Sequence, residues 1–167
     1  MKISARKTAF LGIFTSVALI LAYVEAILPP IMTAVPGIKM GLPNLILIFI
    51  LYRFGVKDAA IVSGIRLVIV ALLFGNFMTF AYSLAGAVLS MAVMVLLKRS
   101  EKFSTVGVSI AGAVTHNLGQ VLVAIFLLDT MQIGYYMLVL AVTGSIAGVC
   151  IGVGGNILIR RFEKVKM

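Results

Sequence analysis

The sequence predicts an all-helical integral membrane protein in which six helices cross the bilayer and both chain ends lie in the cytoplasm. The chain of 167 residues is 62% hydrophobic and 11% charged, with a mean hydropathy of +1.20. A soluble domain of this size cannot hide so much apolar surface, because much of its area must face water. The Lys and Arg residues cluster between apolar stretches of about 40 to 60 residues, each long enough for a hairpin of two spans.

Four basic clusters set the predicted orientation. Cytoplasmic loops of membrane proteins collect Lys and Arg, so all four clusters are expected on the inner side. The net charge of +9 then suits contact with anionic lipid headgroups better than nucleic acid, because the charges form no continuous stripe. The clusters comprise Lys2, Arg6 and Lys7, then Arg53 and Lys57, then Lys98, Arg99 and Lys102, and finally Arg160, Arg161, Lys164 and Lys166.

The apolar runs give the spans in order within one transmembrane domain, 1–167. Span 1 follows the first basic cluster without a small-residue cleavage pattern, and Pro29-Pro30 ends it because Pro cannot continue a helix. Span 2 is short, so we expect it to be tilted or extended by loop residues. The six spans are predicted at about residues 8–28, 42–53, 57–74, 77–97, 104–128 and 133–159.

The connection between spans 1 and 2, residues 29–43, is unlike the others. It holds four prolines and two glycines, which prevent a regular helix, yet it remains apolar. We expect it to fold over the outer end of the bundle as a lid. The alternative is a linker that dips into the membrane interface.

Small residues recur at four-residue spacing, which lets membrane helices approach closely. One interpretation of such stripes is packing inside the bundle, and the other is docking of a second membrane subunit. The stripes on spans 1 and 6 are the best docking candidates. They are Gly12 and Ser16, then Ala18, Ala22 and Ala26 on span 1, and Gly144, Gly148 and Gly152 on span 6. Spans 4 and 5 carry further stripes, namely Ala81 and Ala85, Gly86 and Ser90, and Gly107 and Ala111.

Few polar side chains lie within the spans, where they are costly and usually face a cavity or a partner. His116 and Gln120 share a helix face, whereas Asn117 is turned by about 100° and is able to pin a neighbouring span. Interhelical hydrogen bonds are the alternative to a ligand site. Glu25 and Arg66 are either an ion pair or, with an expected depth difference of about 12 Å, the two sides of a ligand space. The set is Glu25, Asn44, Arg66, Asn76, His116, Asn117, Gln120 and Asn156.

Several activities lack their sequence requirements. The P-loop motif is absent, and one His with one Cys argues against a protein-ligated transition metal. A prenyl-chain synthase needs clustered aspartates to hold Mg²⁺ on a diphosphate, but the only Asp residues are Asp58 and Asp129. We therefore predict a non-enzymatic protein without a cofactor or metal site.

Three stretches carry a family resemblance over nearly the whole chain. They are Pro-Gly-Ile-Lys-Met-Gly-Leu-Pro-Asn at 36–44, Arg66 with Phe74-Gly75, and Gly-Ala-Val-Thr-His-Asn-Leu-Gly-Gln at 112–120. Glu25 before Pro29, and Ser83 and Gly86 in span 4, belong to the same series. The chain resembles the bacterial Gx transporter family, also called heptaprenyl diphosphate synthase component I. That family is similar in architecture to the substrate-binding S components of energy-coupling factor transporters.

The resemblance implies a six-helix bundle in the bacterial cytoplasmic membrane that captures a vitamin or cofactor precursor, such as a flavin- or quinone-related compound, at its outer face. Two cytoplasmic ATPases and a membrane coupling subunit would reorient the bundle, with Gly12, Ser16, Ala18 and Ala22 as the docking face. Arg66 and Lys39 favour an anionic substrate. The expected hydrogen-bonding residues are Glu25, Asn44, His116, Asn117 and Gln120.

Two rival functions remain open at this point. One is a non-catalytic membrane partner in prenyl diphosphate or quinone metabolism, with the polar residues holding a lipid diphosphate. The other is a self-sufficient ion-coupled carrier that uses Glu25 and His116 and works as a dimer.

Overall fold

The computed structural model describes residues 5–27 and 41–164, which form six α-helices, one short 3₁₀ helix and no β-strand. The all-helical prediction is therefore confirmed for this part of the chain. Most of the expected lid, including Lys39, lies outside the described residues. The helices are α1 (Ala5–Ile27), α2 (Asn44–Arg53), α3 (Val56–Phe74), α4 (Phe77–Ser100), α5 (Thr105–Leu128) and α6 (Met137–Arg161), with the 3₁₀ helix Met131–Tyr136 leading into α6.

Within the described residues, four helical segments are long and apolar enough to cross a bilayer: α1, α4, α5 and the stretch Met131–Arg161. Large apolar side chains cover the outside of the bundle, with Leu72 80% and Phe126 83% exposed. Such a surface suits lipid rather than water. The helices therefore indicate a multi-pass membrane protein.

The second predicted span, 42–53, is a short helix, as expected. With 10 residues, α2 is about 15 Å long, roughly half the thickness of the hydrocarbon core. Pro43 precedes it and Gly55 follows it, the latter with a φ of +100° that favours glycine. Because these residues stop the helix at both ends, α2 alone is not a complete membrane crossing. The third helix, α3, has 19 residues and is also not among the four long apolar segments.

Close contacts between small residues assemble the bundle around α5. A Cβ atom on Gly119 would lie 2.7 Å from the carbonyl oxygen of Ala85 on α4. On the opposite side, a Cβ on Gly148 of α6 would lie 2.7 Å from the Cα of Ile110. Any larger side chain would push these backbones apart. Gly144 and Gly152 of α6 also lie against α5, so the stripe of span 6 packs inside the bundle.

Polar contacts join the helices at the end of the bundle that carries Arg53, Lys98 and Arg160, here called the basic end. An aromatic cluster of Phe14, Phe49 and Phe162 packs near these contacts. The opposite end is called the distal end. The contacts at the basic end are the ion pair Lys7–Asp58 at 2.7 Å, the hydrogen bond from Lys98 Nζ to the Leu51 carbonyl at 2.6 Å, and that from Arg53 Nη2 to the Glu163 carbonyl at 3.2 Å.

Candidate ligand-binding site

A polar pocket lies between α1, α3, α4 and α5, toward the distal end of the bundle. Its volume is about 500 Å³ including the part open to the outside. The side chains leave free room for only about two water molecules, so a larger guest requires side chains to move. The lining residues are Ala22, Glu25, Gly41, Arg66, Leu67, Val70, Ala71, Gly75, Thr79, Phe80, Ser83, His116 and Gln120.

Arg66 supplies the positive charge of the polar pocket. It lies on α3, about 12 Å before the distal end of that helix, and is only 7% exposed. The carboxylate of Glu25 acts on it electrostatically across the pocket, yet its Nε atom has no hydrogen-bond partner. A buried guanidinium N–H without an acceptor is costly. An anionic guest would provide that acceptor.

His116 and Gln120 form a pair on one face of α5. The amide nitrogen of Gln120 lies 3.3 Å from Nε2 of His116, while the Gln120 Oε1 atom is buried without a partner. An amide nitrogen only donates, so Nε2 of His116 accepts in this arrangement. Rotating the amide by 180° would leave its NH₂ group unpaired instead of its oxygen. In either orientation, one polar end of Gln120 remains available to a guest.

Helix α4 closes the pocket with small residues. A Cβ on Gly86 would lie 2.8 Å from the His116 carbonyl oxygen and 3.0 Å from the imidazole ring, so glycine lets the ring lie against α4. The Nδ1 atom of His116 faces the Gly86 backbone without the geometry of a full hydrogen bond. Ser83 and Thr79 add hydroxyl groups to the wall. We did not predict these two as site residues, although Ser83 lies one helical turn from Gly86 on the same face.

Glu25 connects α1 to the turn that precedes α2. One of its carboxylate oxygens accepts hydrogen bonds from the backbone amides of Gly41 and Leu42, the latter at 3.3 Å. The side chain is 8% exposed. A carboxylate near a helix N-terminus is also favoured by the helix dipole. Glu25 therefore lines the polar pocket and at the same time fixes its α2 side.

Asn117 lies outside the polar pocket. Its Nδ2 atom donates a hydrogen bond to the Leu140 carbonyl at 2.8 Å, which links α5 to α6. A Cβ on Gly144 would lie 2.6 Å from that nitrogen, so glycine makes room for the contact. The structure thus gives Asn117 the helix-pinning contact that its position on the other face of α5 suggests.

Asn44 also lies away from the polar pocket, because α2 begins deep in the bundle. Its side chain lines a separate small cavity with Ser90 on α4 and Ser109 on α5. That cavity has room for about one water molecule. Lys39, the other predicted anion ligand, falls outside the described residues.

The predicted docking residues of α1 divide between two faces. Gly12 and Ser16 are exposed, whereas Ala18 and Ala22 are 0% and 3% exposed and pack inside the bundle. Moving from Ser16 to Ala18 turns the helix by about 200°, so the two pairs cannot share one face. Only Gly12 and Ser16 are open to a partner in this structure.

The helices and the pocket define a multi-pass helical membrane protein with a buried polar site. The chain belongs to the family described as heptaprenyl diphosphate synthase component I, whose sequence profile matches residues 14–158. No curated protein matches the chain. No solved structure matches it either, so the likeness to S components of energy-coupling factor transporters stays a prediction. Within the described residues, no group of three or more His, Cys, Asp or Glu side chains is placed to hold a metal ion.

Proposed function

We propose that this protein is a non-catalytic membrane subunit that binds a small anionic molecule in the polar pocket. The observation that carries the proposal is Arg66, a buried cation with an unpartnered Nε atom in a pocket that also contains His116 and Gln120. Its charge and the unpaired amide would hold an anion by charge-assisted and neutral hydrogen bonds. Glu25 and the Ser83 hydroxyl group would select the orientation of the guest, since the Thr79 hydroxyl group is already bonded to the Asn76 backbone.

The position of the pocket favours capture from outside the cell. The positive-inside tendency would place the basic end in the cytoplasm, with six segments crossing the bacterial cytoplasmic membrane and both chain ends inside. The polar pocket lies toward the opposite end, near the distal turns of α1, α3 and α4. The leading version of the proposal is therefore the substrate-capture subunit of an importer. A membrane coupling subunit, docked on Gly12 and Ser16, and cytoplasmic ATPases would supply the driving force.

A second version is favoured by the family description. In it, the chain is the non-catalytic membrane partner of a prenyl diphosphate synthase, and the pocket holds the diphosphate of a lipid. The two aspartates of the chain support a non-catalytic role, because they are not arranged as a magnesium cluster. Asp58 pairs with Lys7 at the basic end, whereas Asp129 follows the last residue of α5 at the distal end.

Ligand binding is tested by native mass spectrometry of small molecules that co-purify with the protein. We expect an anionic molecule with the unchanged protein and at least a tenfold loss, about 1.4 kcal/mol or more, in the Arg66→Gln variant. The Arg160→Gln variant is the matched control, since Arg160 is exposed at the basic end. Equal ligand retention in both variants, with both folded by size-exclusion chromatography, would remove the site.

The two versions are separated by the proteins that co-purify from the native membrane. Cytoplasmic ATPases would support the importer, and a prenyl synthase would support the membrane partner. Proton-driven uptake into liposomes by this protein alone would overturn both in favour of the self-sufficient carrier.

A further inference from the structure

An apolar groove opens to the membrane between α3 and α4, directly beside the polar pocket. Its volume is about 590 Å³ including the open side. Ala71 and Phe80 line both the groove and the polar pocket, so the two spaces adjoin. The full lining of the groove is Val68, Ala71, Leu72, Asn76, Phe77 and Phe80.

The groove has almost no hydrogen-bonding capacity of its own. Its single polar side chain, Asn76, already accepts a hydrogen bond from the Thr79 amide at 2.9 Å and caps α4. Leu72 is 80% and Phe77 77% exposed, so the groove faces the lipid side of the bundle. It exists because α3 touches α4 much less than α4 touches α5. Such a space suits a hydrocarbon chain.

The polar pocket and the groove each lack what the other provides for binding a ligand. The pocket offers charge and unpaired hydrogen-bonding atoms but has free room for only a small polar group. The groove offers apolar space but no charge. A guest that occupies both has a small anionic headgroup and an apolar tail.

We infer that the ligand is an amphiphile whose phosphate-class headgroup pairs with Arg66 while its tail leaves the pocket laterally through the groove. This inference rests on the proposed function and narrows the class of its ligand. A lateral exit lets the tail remain in an apolar environment while only the headgroup enters the protein. The tail then adds affinity without occupying the small polar pocket.

Tryptophan fluorescence provides the test, because the chain contains no Trp. The reporter variant is Phe77→Trp in the groove, and the matched control is Phe126→Trp on α5. Both positions lie near distal helix ends and are similarly exposed, at 77% and 83%. The probe is dodecyl phosphate with a brominated chain, which quenches tryptophan on contact. Each variant is purified in a detergent without bromine and titrated with the probe.

We expect saturable quenching in Phe77→Trp at probe concentrations that barely affect Phe126→Trp. An excess of inorganic phosphate should reverse the quenching by competing for Arg66, because the Phe77→Trp change leaves the polar pocket unaltered. Dodecyl phosphate should bind at least about tenfold more tightly than inorganic phosphate, since each buried methylene adds to the affinity. Brominated phosphatidic acid serves as a second probe, and preferential quenching by one of the two shows whether a bilayer lipid or a free single-chain phosphate is the better ligand.

Equal quenching of the two variants, or quenching that phosphate does not reverse, would overturn the inference. The proposed function has a separate readout, namely retention of the co-purified molecule in the Arg66→Gln and Arg160→Gln variants. A small anion retained through Arg66 together with equal quenching would leave the binding subunit intact and exclude the tail. Equal retention of the co-purified molecule in Arg66→Gln and Arg160→Gln would exclude both the proposed function and this inference.

Discussion

The carboxylate of Glu25, near the end of α1, accepts the backbone amide of Gly41, sixteen residues further along the chain. The neighbouring amide of Leu42 donates to the same oxygen. Without Glu25, these two backbone amides would lose their side-chain acceptor. The contact therefore holds the turn before α2 against α1 and shapes one side of the polar pocket.

Replacing Glu25 by Ala should lower the free energy of unfolding by about 1–3 kcal/mol, because two backbone donors lose their acceptor. Glu25→Gln keeps an acceptor oxygen and should lose clearly less. Thermal unfolding in detergent measures both. If Glu25→Ala melts at the temperature of the unchanged protein, the contact does not stabilise the fold.

Gly119 permits the closest approach of α5 to α4, because a Cβ there would lie 2.7 Å from a backbone oxygen and 2.9 Å from the Gly86 Cα. Gly119→Ala should destabilise the protein by about 1–3 kcal/mol, since backbone atoms cannot move aside as a flexible side chain can. Gly64→Ala on α3 is the matched control. A Cβ at Gly64 meets nothing within 4 Å, so this change should be neutral or stabilising by up to about 1 kcal/mol. Equal effects of the two changes would contradict the packing argument.

The exposed small residues of α1 should matter to a partner but not to the fold. Gly12→Leu adds bulk where nothing lies within 4 Å, so the purified protein should melt at the same temperature or slightly higher. Ala18→Leu adds bulk at a fully buried position and should destabilise it by about 1–3 kcal/mol. The membrane proteins that co-purify with each variant from the native membrane then measure docking. Retention of every membrane partner by Gly12→Leu would rule out this face of α1 as the docking surface.

The helix ends were largely predictable, because local chemistry sets them. The predicted spans 57–74 and 104–128 nearly coincide with α3 and α5, where Gly55 and Ser104 stand before the helices and Gly75 and Asp129 stand after them. The short α2, Asn44–Arg53, also begins within two residues of the predicted span 42–53. Hydropathy alone does not show whether so short a helix crosses the membrane.

The sequence identified the buried polar residues as a group, but it did not show which of them line the same pocket. Glu25, Arg66, His116 and Gln120 do line one pocket, although their role in binding stays a prediction. Asn44 and Asn117 are also polar and buried, yet Asn44 lines a separate cavity and Asn117 donates a hydrogen bond to α6. Which way a polar residue faces depends on helix rotation. That rotation is set by contacts such as Gly86 with His116 and Gly144 with Asn117.

Adjacent residues on α5 should separate stability from binding. Asn117→Ala removes the hydrogen bond to the Leu140 carbonyl and should cost about 0.5–1.5 kcal/mol of stability, while ligand retention stays near that of the unchanged protein. His116→Ala should reduce retention much more. Thermal unfolding and native mass spectrometry of the same preparations give both quantities. Substantial ligand loss in Asn117→Ala, without loss of the fold, would show that the site extends to α6.

Gln120→Leu should leave the stability of the empty protein nearly unchanged while weakening ligand binding. Gln120 is 0% exposed, and its Oε1 atom has no partner. Leu fills similar space and removes the unpartnered oxygen, but it also leaves the buried Nε2 atom of His116 without its donor, so we expect a net change in the free energy of unfolding within about 1 kcal/mol of zero. A residue kept for packing would behave in the opposite way, because its loss would lower stability and spare the ligand. Unfolding of ligand-free protein, paired with native mass spectrometry, decides between the two. A melting temperature that falls while the ligand is retained would assign Gln120 to the fold rather than to the site.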